Sequence, residues 1–377
     1  MNAVTTADVL LFPFGEYWWF YAGFTVFVCV LLALDLGVFH RDAHAVSFKE
    51  AATWSVVWVS LAMLFLAGFY WFMLQRFPAD PRLTALSGFD PQATAREAAL
   101  QFLAGYVIEY SLSVDNIFVF VVVLNYFLIP TKYQHRVLFF GILGALCFRA
   151  AFIAIGAALM QYQWVIVLFG VFLVYTGVRM MIAKETGVEP EQNAIIRQFR
   201  KMMPVTKELH EQSFFVKIDG RKHATPLFIA LLFLEMTDIV FAVDSVPAIF
   251  ALTREPLIFF TSNIFAIFGL RNLYFMLREA IDKFHMLKYG LGVVLIFVGL
   301  KMTVLNRLFD GHFPITWSLG IIVGVIGASV VLSLLFPKPH VEGEPPIPLP
   351  PGHDLVMHHK EGQAKEADKA EGEKKKA

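Results

Sequence analysis

Nine apolar stretches, each about 20 residues or longer, restrict what this chain can fold into. A helix needs about 20 predominantly apolar residues to cross the hydrocarbon layer of a bilayer. The chain is 57% hydrophobic and 16% charged, whereas soluble domains are about 45–50% apolar and about 25% charged. The sequence therefore predicts an all-α polytopic membrane protein with about nine transmembrane helices. The predicted spans are 17–39, 52–74, 99–128, 137–159, 163–183, 226–250, 257–277, 289–309 and 315–336.

The distribution of Lys and Arg predicts the orientation of these spans. With the N-terminus outside, most basic residues fall on the cytoplasmic side, many of them in the loop 184–225, as is usual for cytoplasmic loops. Within that loop, residues 214–221 resemble a strand that ends in an Asp-Gly turn, so we expect a small hairpin. We further expect a short extracytoplasmic N-terminus at 1–16 and a transporter domain at 17–336. The remaining cytoplasmic tail, 337–377, is too polar to form a core and is expected to be disordered.

Five acidic residues lie well inside the apolar stretches, within reach of the hydrophobic core. A charged side chain in a membrane-spanning segment costs about 2.5–3.5 kcal/mol on insertion scales, so such residues usually have a function. Two arginines, Arg149 and Arg271, balance part of this charge and leave a formal excess of three negative charges. A divalent cation with one proton would neutralise the excess, and so would three protons. The pattern thus predicts a cation site coupled to protonation, and its acids are Glu109, Asp115, Glu235, Asp238 and Asp244.

Neutral oxygen ligands accompany the acids. Asn116 and Ser245 each directly follow one of the aspartates. Carboxylate, amide and hydroxyl ligands without Cys or His suit hard cations such as Mg²⁺, Ca²⁺ or Mn²⁺ better than Zn²⁺ or Cu²⁺. Further hydroxyl groups close by in the sequence belong to Ser111, Ser113 and Thr237.

Two more residues bear on the predicted site. Pro247 has no N–H to bond the Val243 carbonyl, which predicts a broken helix that aims backbone oxygen at an ion. Asp35, near the inner end of the first span, is a possible additional ligand that either joins the site or pairs with a neighbour.

Spans 3–5 and 6–8 repeat each other. Aligning Asp115 with Asp244 also brings Arg149 onto Arg271, once a gap in the following loop is allowed. Because three helices is an odd number, the second copy must cross the membrane in the opposite direction. This predicts two inverted three-helix repeats, an architecture that many secondary transporters build around a site at mid-membrane. Repeat A is predicted at 99–183 and repeat B at 226–309.

Several strings resemble the signatures of a known family, the TerC family of integral membrane proteins, over residues 17–336. They are LDLGVF at 34–39, SLSVDN at 111–116, FAVDSVPAI at 241–249 and TSNIFAI at 261–267. The members that this pattern resembles include the Alx-like branch, and that resemblance implies export of manganese from the bacterial cytoplasm. The family name comes from tellurium resistance. The metal-pathway residues implied by the resemblance are Glu109, Asp115, Glu235, Asp238 and Asp244, with Asn116 and Ser245 alongside.

The expected function is therefore export of divalent cations, Mn²⁺ by resemblance, from a multi-pass position in the bacterial plasma (inner) membrane. Oxygen ligands alone do not separate Mn²⁺ from Ca²⁺, so a Ca²⁺ exporter stays open. The expected partners are the ion, protons and the lipid bilayer. We expect no tightly bound cofactor, and the formal net charge of +0 gives no reason to expect nucleic acid as a partner.

Three alternatives remain at this stage. The chain could be a membrane scaffold or stress-response protein associated with tellurium resistance. It could be an intramembrane aspartyl protease using Asp115 and Asp244, although the Gly-x-Gly-Asp context expected of one is missing, and we predict that it is not an enzyme. Finally, these two aspartates could pair with Arg149 and Arg271 for folding alone.

Overall fold

The number of membrane-spanning helices agrees with the prediction. The computed structural model describes residues 9–34, 46–182, 194–206, 209–218, 220–278, 284–309 and 313–336. Of Asp115, Ala194, Ile195, Arg200 and Asp244 it describes the backbone alone. Within these ranges, nine helices are long and apolar enough to cross a membrane. The protein is therefore an all-α polytopic membrane protein.

The helices follow one another along the chain, and the longest connection between two membrane-crossing helices is residues 183–225. The membrane-crossing helices are α1 (Phe14–Leu34), α2 (Phe48–Arg76), α4 (Pro91–Tyr126), α5 (Thr131–Leu159), α6 (Gln163–Ile182), α8 (Pro226–Phe250), α9 (Pro256–Leu277), α10 (Leu287–Leu300) and α12 (Ile315–Leu335). The shorter elements are a 3₁₀ turn (Phe77–Ala79), α3 (Pro81–Thr84), α7 (Ala194–Met202), a π-helical turn (Lys301–Leu305) that continues α10, and α11 (Asn306–Leu308).

Helix α4 begins well before the predicted boundary at residue 99. Asp90 caps it, because its Oδ1 accepts the N–H groups of Gln92 at 2.9 Å and Ala93 at 3.1 Å, and Pro91 occupies the first turn. Its 36 residues give a length of about 54 Å, whereas the hydrocarbon layer is about 30 Å thick. The first turns of α4 therefore extend beyond the apolar layer, which is why a hydropathy window did not include them.

Four helices, α4, α5, α8 and α9, form a ring. Both α4 and α5 pack chiefly on α8 and α9, so that consecutive helices lie diagonally across the ring. Helix α9 is buried along almost its whole length, because α2 covers the side of it that faces away from the ring. Aromatic side chains fill this outer contact: the Phe65 ring of α2 lies 4.9 Å from that of Phe265, and Trp58 stacks on Phe268 at 4.8 Å.

Helices α6 and α10 cross with their backbones in contact. A Cβ atom on Gly292 would lie 2.8 Å from the carbonyl oxygen of Gly177, and one on Gly170 would lie 3.0 Å from that of Gly299. Small residues permit such close approach between membrane helices. The pairing of an early residue in one helix with a late residue in the other means that α6 and α10 run antiparallel.

The predicted hairpin is present between α7 and α8. Strand β1 (Phe215–Ile218) pairs with strand β2 (Arg221–Ala224) in antiparallel register. Gly220 in the turn has φ +77°, a conformation that glycine adopts without strain. Phe215 fixes the hairpin to the start of α8, because its ring centroid lies 4.5 Å from that of Phe228.

Candidate functional site

Three charged side chains meet inside the four-helix ring. Arg149 of α5 lies between Glu109 of α4 and Asp238 of α8. Its Nη1 forms an ion pair with Oε1 of Glu109, and its Nη2 lies 3.2 Å from Oδ1 of Asp238. The side chains of all three are at most 3% exposed. Two helices that carry predicted acids are thus joined through one guanidinium, and we call these residues the charge cluster.

The two acids of the charge cluster occupy matching positions in the sequence. Glu109 precedes Asp115 by six residues, and Asp238 precedes Asp244 by six residues. When the two aspartates are aligned, Glu109 therefore falls on Asp238. One buried cation shared by two carboxylates leaves one negative charge if all three groups are ionised. Such a charge inside a membrane protein favours a compensating cation or proton.

A narrow cavity reaches the charge cluster at Asp238. It has about 10 Å³ of space, close to the minimum that a water molecule requires. All four helices of the ring line it, with Phe120 from α4, several residues of α5, and Leu270 from α9. Apart from Asp238 its wall is apolar. At Asp238 the charge cluster is thus bordered by apolar side chains from all four helices.

Glu235 lies beside the charge cluster rather than in it. Its carboxylate is packed directly against Gly144 of α5, so that a Cβ atom at position 144 would collide with it. Within the described part of the chain, its Oε2 atom has no hydrogen-bond partner. Asp238 follows one helical turn later, and its charge adds to the negative potential at this point.

Asn116 and Ser245 face the same way as the charge cluster. Each lies seven residues after one of its acids, and seven residues rotate an α-helix to within about 20° of the starting direction. Both side chains are 3% exposed. The Ser245 hydroxyl finds no hydrogen-bond partner among the described residues. The two neutral ligands predicted from the sequence are therefore buried within the ring.

The charge cluster, as defined by its three residues, does not include the remaining residues of the predicted site. Arg271, predicted to balance charge together with Arg149, is buried in α9. The side chains of Asp115 and Asp244 fall outside what the structure describes, as does Asp35 entirely. Among the side chains that are described, no three acidic, histidine or cysteine residues lie close enough to hold a metal ion. The metal site as a whole stays a prediction.

The expected break in α8 is absent. The helix continues from Pro226 to Phe250 through Pro247, whose own carbonyl accepts the N–H of Ala251 at 3.1 Å. Proline can sit inside a membrane helix when its neighbours compensate for the missing bond. The prediction of a broken helix was therefore wrong, and no unwound segment presents backbone oxygens there.

Three further hydroxyl groups bond to their own helices. Ser111 donates to the Val107 carbonyl at 2.6 Å, and Ser113 donates to that of Glu109 at 2.7 Å. Thr237 donates to the Leu234 carbonyl at 2.8 Å. Each of these hydroxyls thus donates its proton to a backbone carbonyl one turn earlier in its own helix. The hydroxyl oxygen still has a lone pair that can accept a hydrogen bond or bind a cation.

The sequence predicted no role for several buried polar residues, among them Asn263 and Glu255. Asn263 in α9 is fully buried, and the sequence marked it only as part of the string at 261–267, because a neutral amide adds no charge that would identify it as a ligand. Glu255, just before α9, is 7% exposed, and its oxygens accept the N–H groups of Leu11 at 2.8 Å and Phe12 at 3.2 Å. Burial raises the pKa of the Glu255 carboxyl to about 7, although these N–H groups and the charge of Arg82 oppose the rise.

Comparison with known proteins gives consistent matches. The profile of the family described as "Integral membrane protein TerC family" matches residues 94–340. The chain is 49% identical over 316 residues to "Uncharacterized membrane protein STKORF319" of Myxococcus xanthus, which covers 84% of this chain and 92% of that protein. It is 42% identical over 315 residues to "Putative membrane-bound redox modulator Alx" of Escherichia coli (strain K12), which covers 83% of this chain and 93% of that protein. No solved structure matches the chain.

Proposed function

Because the chain belongs to the integral membrane protein TerC family, we propose that it exports divalent cations, Mn²⁺ foremost, from the bacterial cytoplasm. The observation that carries the proposal is the charge cluster. Glu109 and Asp238 occupy matching positions in the two repeats, yet they meet on one buried arginine. A protein that needed only a stable fold would gain as much from apolar residues there.

The charge balance favours a hard divalent cation as the cargo. Five intramembrane acids face two arginines, so the region lacks positive charge unless an ion or protons bind. Carboxylate and amide oxygens match the preference of Mn²⁺ and Ca²⁺. Exchange of the metal for protons at these acids would let the same groups release the ion and return neutral.

Inverted repeats provide the movement in this proposal. The alignment that places Arg149 on Arg271 also places Gly170 on Gly292 and Gly177 on Gly299. In the α6–α10 crossing, Gly170 contacts Gly299 and Gly177 contacts Gly292. If the two repeats are exchanged, the Gly170–Gly299 contact becomes the Gly177–Gly292 contact, as a two-fold axis between the repeats requires. The antiparallel direction of α6 and α10 is consistent with such an axis. We infer that rocking of one repeat against the other opens the charge cluster to each side in turn.

The membrane and the orientation form part of the same proposal. The protein would lie in the bacterial inner membrane with its N-terminus outside and its C-terminus in the cytoplasm. The basic residues on α7 and the hairpin, which include Arg197, Lys217 and Lys222, support this orientation by the positive-inside rule.

Cellular manganese is the first measurement. A manganese-sensitive bacterium would express the chain, its Asp115→Asn variant, its Asp244→Asn variant or a Glu97→Gln control, and total manganese would be measured by elemental analysis. Glu97 lies in the same helix as Asp115 but is exposed. We expect the intact chain and the control to lower manganese and the two aspartate variants to lose the effect. Full export by both aspartate variants at equal expression would rule out this mechanism.

A second candidate is a scaffold or stress-response role. It is favoured by the folded element between the repeats, in which α7 and the β1–β2 hairpin pack on the start of α8. The redox role in the name of the Escherichia coli relative would need reactive groups, and the two free cysteines here, Cys29 and Cys147, lie on different helices. Cross-linked partners that persist when all five acids are neutralised would favour the scaffold, and calcium in place of manganese would favour a Ca²⁺ exporter.

A further inference from the structure

Asn263 in α9 is an unusual residue for the interior of a membrane protein. Its side chain is 0% exposed, and among the described residues neither its Oδ1 nor its Nδ2 has a hydrogen-bond partner. Buried polar groups without partners are rare in folded proteins, and each one calls for an explanation. In hydrocarbon the cost of an unbonded amide is larger still, because no water is available to replace the missing bonds.

Helix geometry directs Asn263 toward the centre of the ring. Leu270, which lines the cavity at the charge cluster, lies seven residues later and therefore within about 20° of the same direction. Phe265 and Phe268 point more than about 120° away, toward α2. The amide thus faces the ring interior rather than the outer aromatic contact.

Ser245 of α8 lies at the same level. Helices α8 and α9 are joined by the short connection 251–255, so they run in opposite directions. Asp238 of α8 and Leu270 of α9 line the same cavity. Ser245 lies seven residues closer to the α8–α9 connection than Asp238, and Asn263 lies seven residues closer to it than Leu270. Ser245 and Asn263 are therefore both displaced by about 10 Å from the cavity toward the connection.

Small residues surround this level of the ring. On α4, a Cβ atom at Gly105 would lie 2.9 Å from the hydroxyl oxygen of Ser262, and Gly156 of α5 packs beside Val246 and Phe250. The Asn263 amide of α9 and the Ser245 hydroxyl of α8, which have no partner among the described residues, thus lie diagonally across the ring from each other. The other two helices of the ring, α4 and α5, have glycine at this level.

We propose that Asn263 and Ser245 form a second binding step for a hard divalent cation, between the charge cluster and the α8–α9 connection. This inference rests on the proposed function and deepens it by adding a residue of α9 to the ion pathway. Both groups offer neutral oxygen, a ligand that hard cations accept. Neutral ligands hold a cation more weakly than carboxylates, and a step from strong to weaker ligands lets an ion leave a binding site.

Replacement of Asn263 by leucine separates this proposal from a structural role. Leucine has a similar volume and no polar atoms, and removing an unbonded buried amide should leave the stability unchanged or raise it. The matched control is Asn272→Leu, because Asn272 is also buried in α9 but lies about 180° away around the helix. Ser245→Ala is a second, smaller change, and it tests the ligand that α8 contributes to the same binding step.

The measurement is Mn²⁺ binding to the purified protein in detergent, followed by the electron paramagnetic resonance signal of free Mn²⁺, together with the melting temperature and the cellular manganese assay. We expect the intact protein to show a weaker class of Mn²⁺ binding besides that of the acids, and Asn263→Leu and Ser245→Ala to weaken this class by about tenfold with an unchanged or higher melting temperature. We expect Asn272→Leu to bind like the intact protein. Unchanged binding by Asn263→Leu, or an equal loss in Asn272→Leu, would overturn the inference.

Failure of the proposed function would look different. If the intact protein binds Mn²⁺ through Asn263 but leaves cellular manganese unchanged, the export proposal fails and the binding step stands. If the intact protein binds no Mn²⁺, both are wrong.

Discussion

Glu255 should make the stability of this protein fall as the pH rises. Its carboxylate holds the segment before α1, because Oε1 accepts the N–H of Leu11 and Oε2 accepts the N–H of Phe12. The connection is also fixed from within, since the Glu255 N–H donates to Oγ1 of Thr253 at 3.1 Å. A change in the charge of this one side chain therefore acts on the contact between the N-terminal segment and the start of α9.

The sign and size follow from the pKa. Burial raises the pKa of Glu255 from 4.5 to about 7, so the folded protein binds the proton more tightly than the unfolded chain does. The stabilisation is fully present below about pH 4.5, declines as the pH rises toward 7, and is lost above it. A difference of this size corresponds to about 3 kcal/mol between the two ends of the range. A Glu255→Gln variant stays neutral and should lack this part of the pH dependence.

Melting temperatures in detergent, read from tryptophan fluorescence between pH 4.5 and 8.5, would test the reasoning. The glutamine keeps only one of the two acceptor oxygens, so the comparison concerns the pH dependence: we expect the melting temperature of the intact protein to fall between pH 4.5 and 8.5 relative to that of the variant. Glu16→Gln is the control, because Glu16 pairs with Arg82 at 3.1 Å but its side chain is 49% exposed, so its effect should be small. A melting temperature of the intact protein that rises relative to that of the variant as the pH increases would mean that the ionised carboxylate stabilises the fold, contrary to the argument.

Two further predictions concern packing inside the membrane. Arg149→Met leaves Glu109 and Asp238 buried without their cation and should lower the free energy of unfolding by about 3–5 kcal/mol. The triple variant that also carries Glu109→Gln and Asp238→Asn should recover most of this loss. Equal melting temperatures of the single variant and the intact protein would contradict the buried ion pairs. Gly177→Ala places a methyl group against the backbone of α10 and should cost about 1–3 kcal/mol, while Gly320→Ala, with nothing within 4 Å, should be neutral. Detergent melting curves measure both, and a tolerated Gly177→Ala would refute the close crossing.

Local signals made most of the fold predictable. Apolar length gave the nine spans, and the Asp-Gly turn gave the β1–β2 hairpin. The start of α4 was missed because Arg96 and Glu97 lie in its first turns, where helix capping rather than hydropathy decides the boundary. The break at Pro247 was wrong because the loss of one hydrogen bond does not unwind a helix that its neighbours support.

The candidate site was predictable in its members but not in its pairing. An acidic residue in an apolar run is conspicuous because a charge inside the membrane is energetically unfavourable, so Glu109 and Asp238 could be found without a structure. That both share Arg149 depends on contacts between distant helices, which the sequence does not contain. No role was predicted for Asn263, because it is neutral, or for Glu255, because it lies between two predicted spans rather than inside one.

The contact between α6 and α10 bears on the movement that we propose for the two repeats. Where the carbonyl of Gly177 meets Gly292 and that of Gly299 meets Gly170, no layer of side chains separates the helices, so neither can slide past the other without a collision. Rotation about this crossing is a movement that keeps the two backbones in contact, and it fits the rocking that we propose. Displacement in such a rotation would be smallest at the crossing and would increase with distance from it.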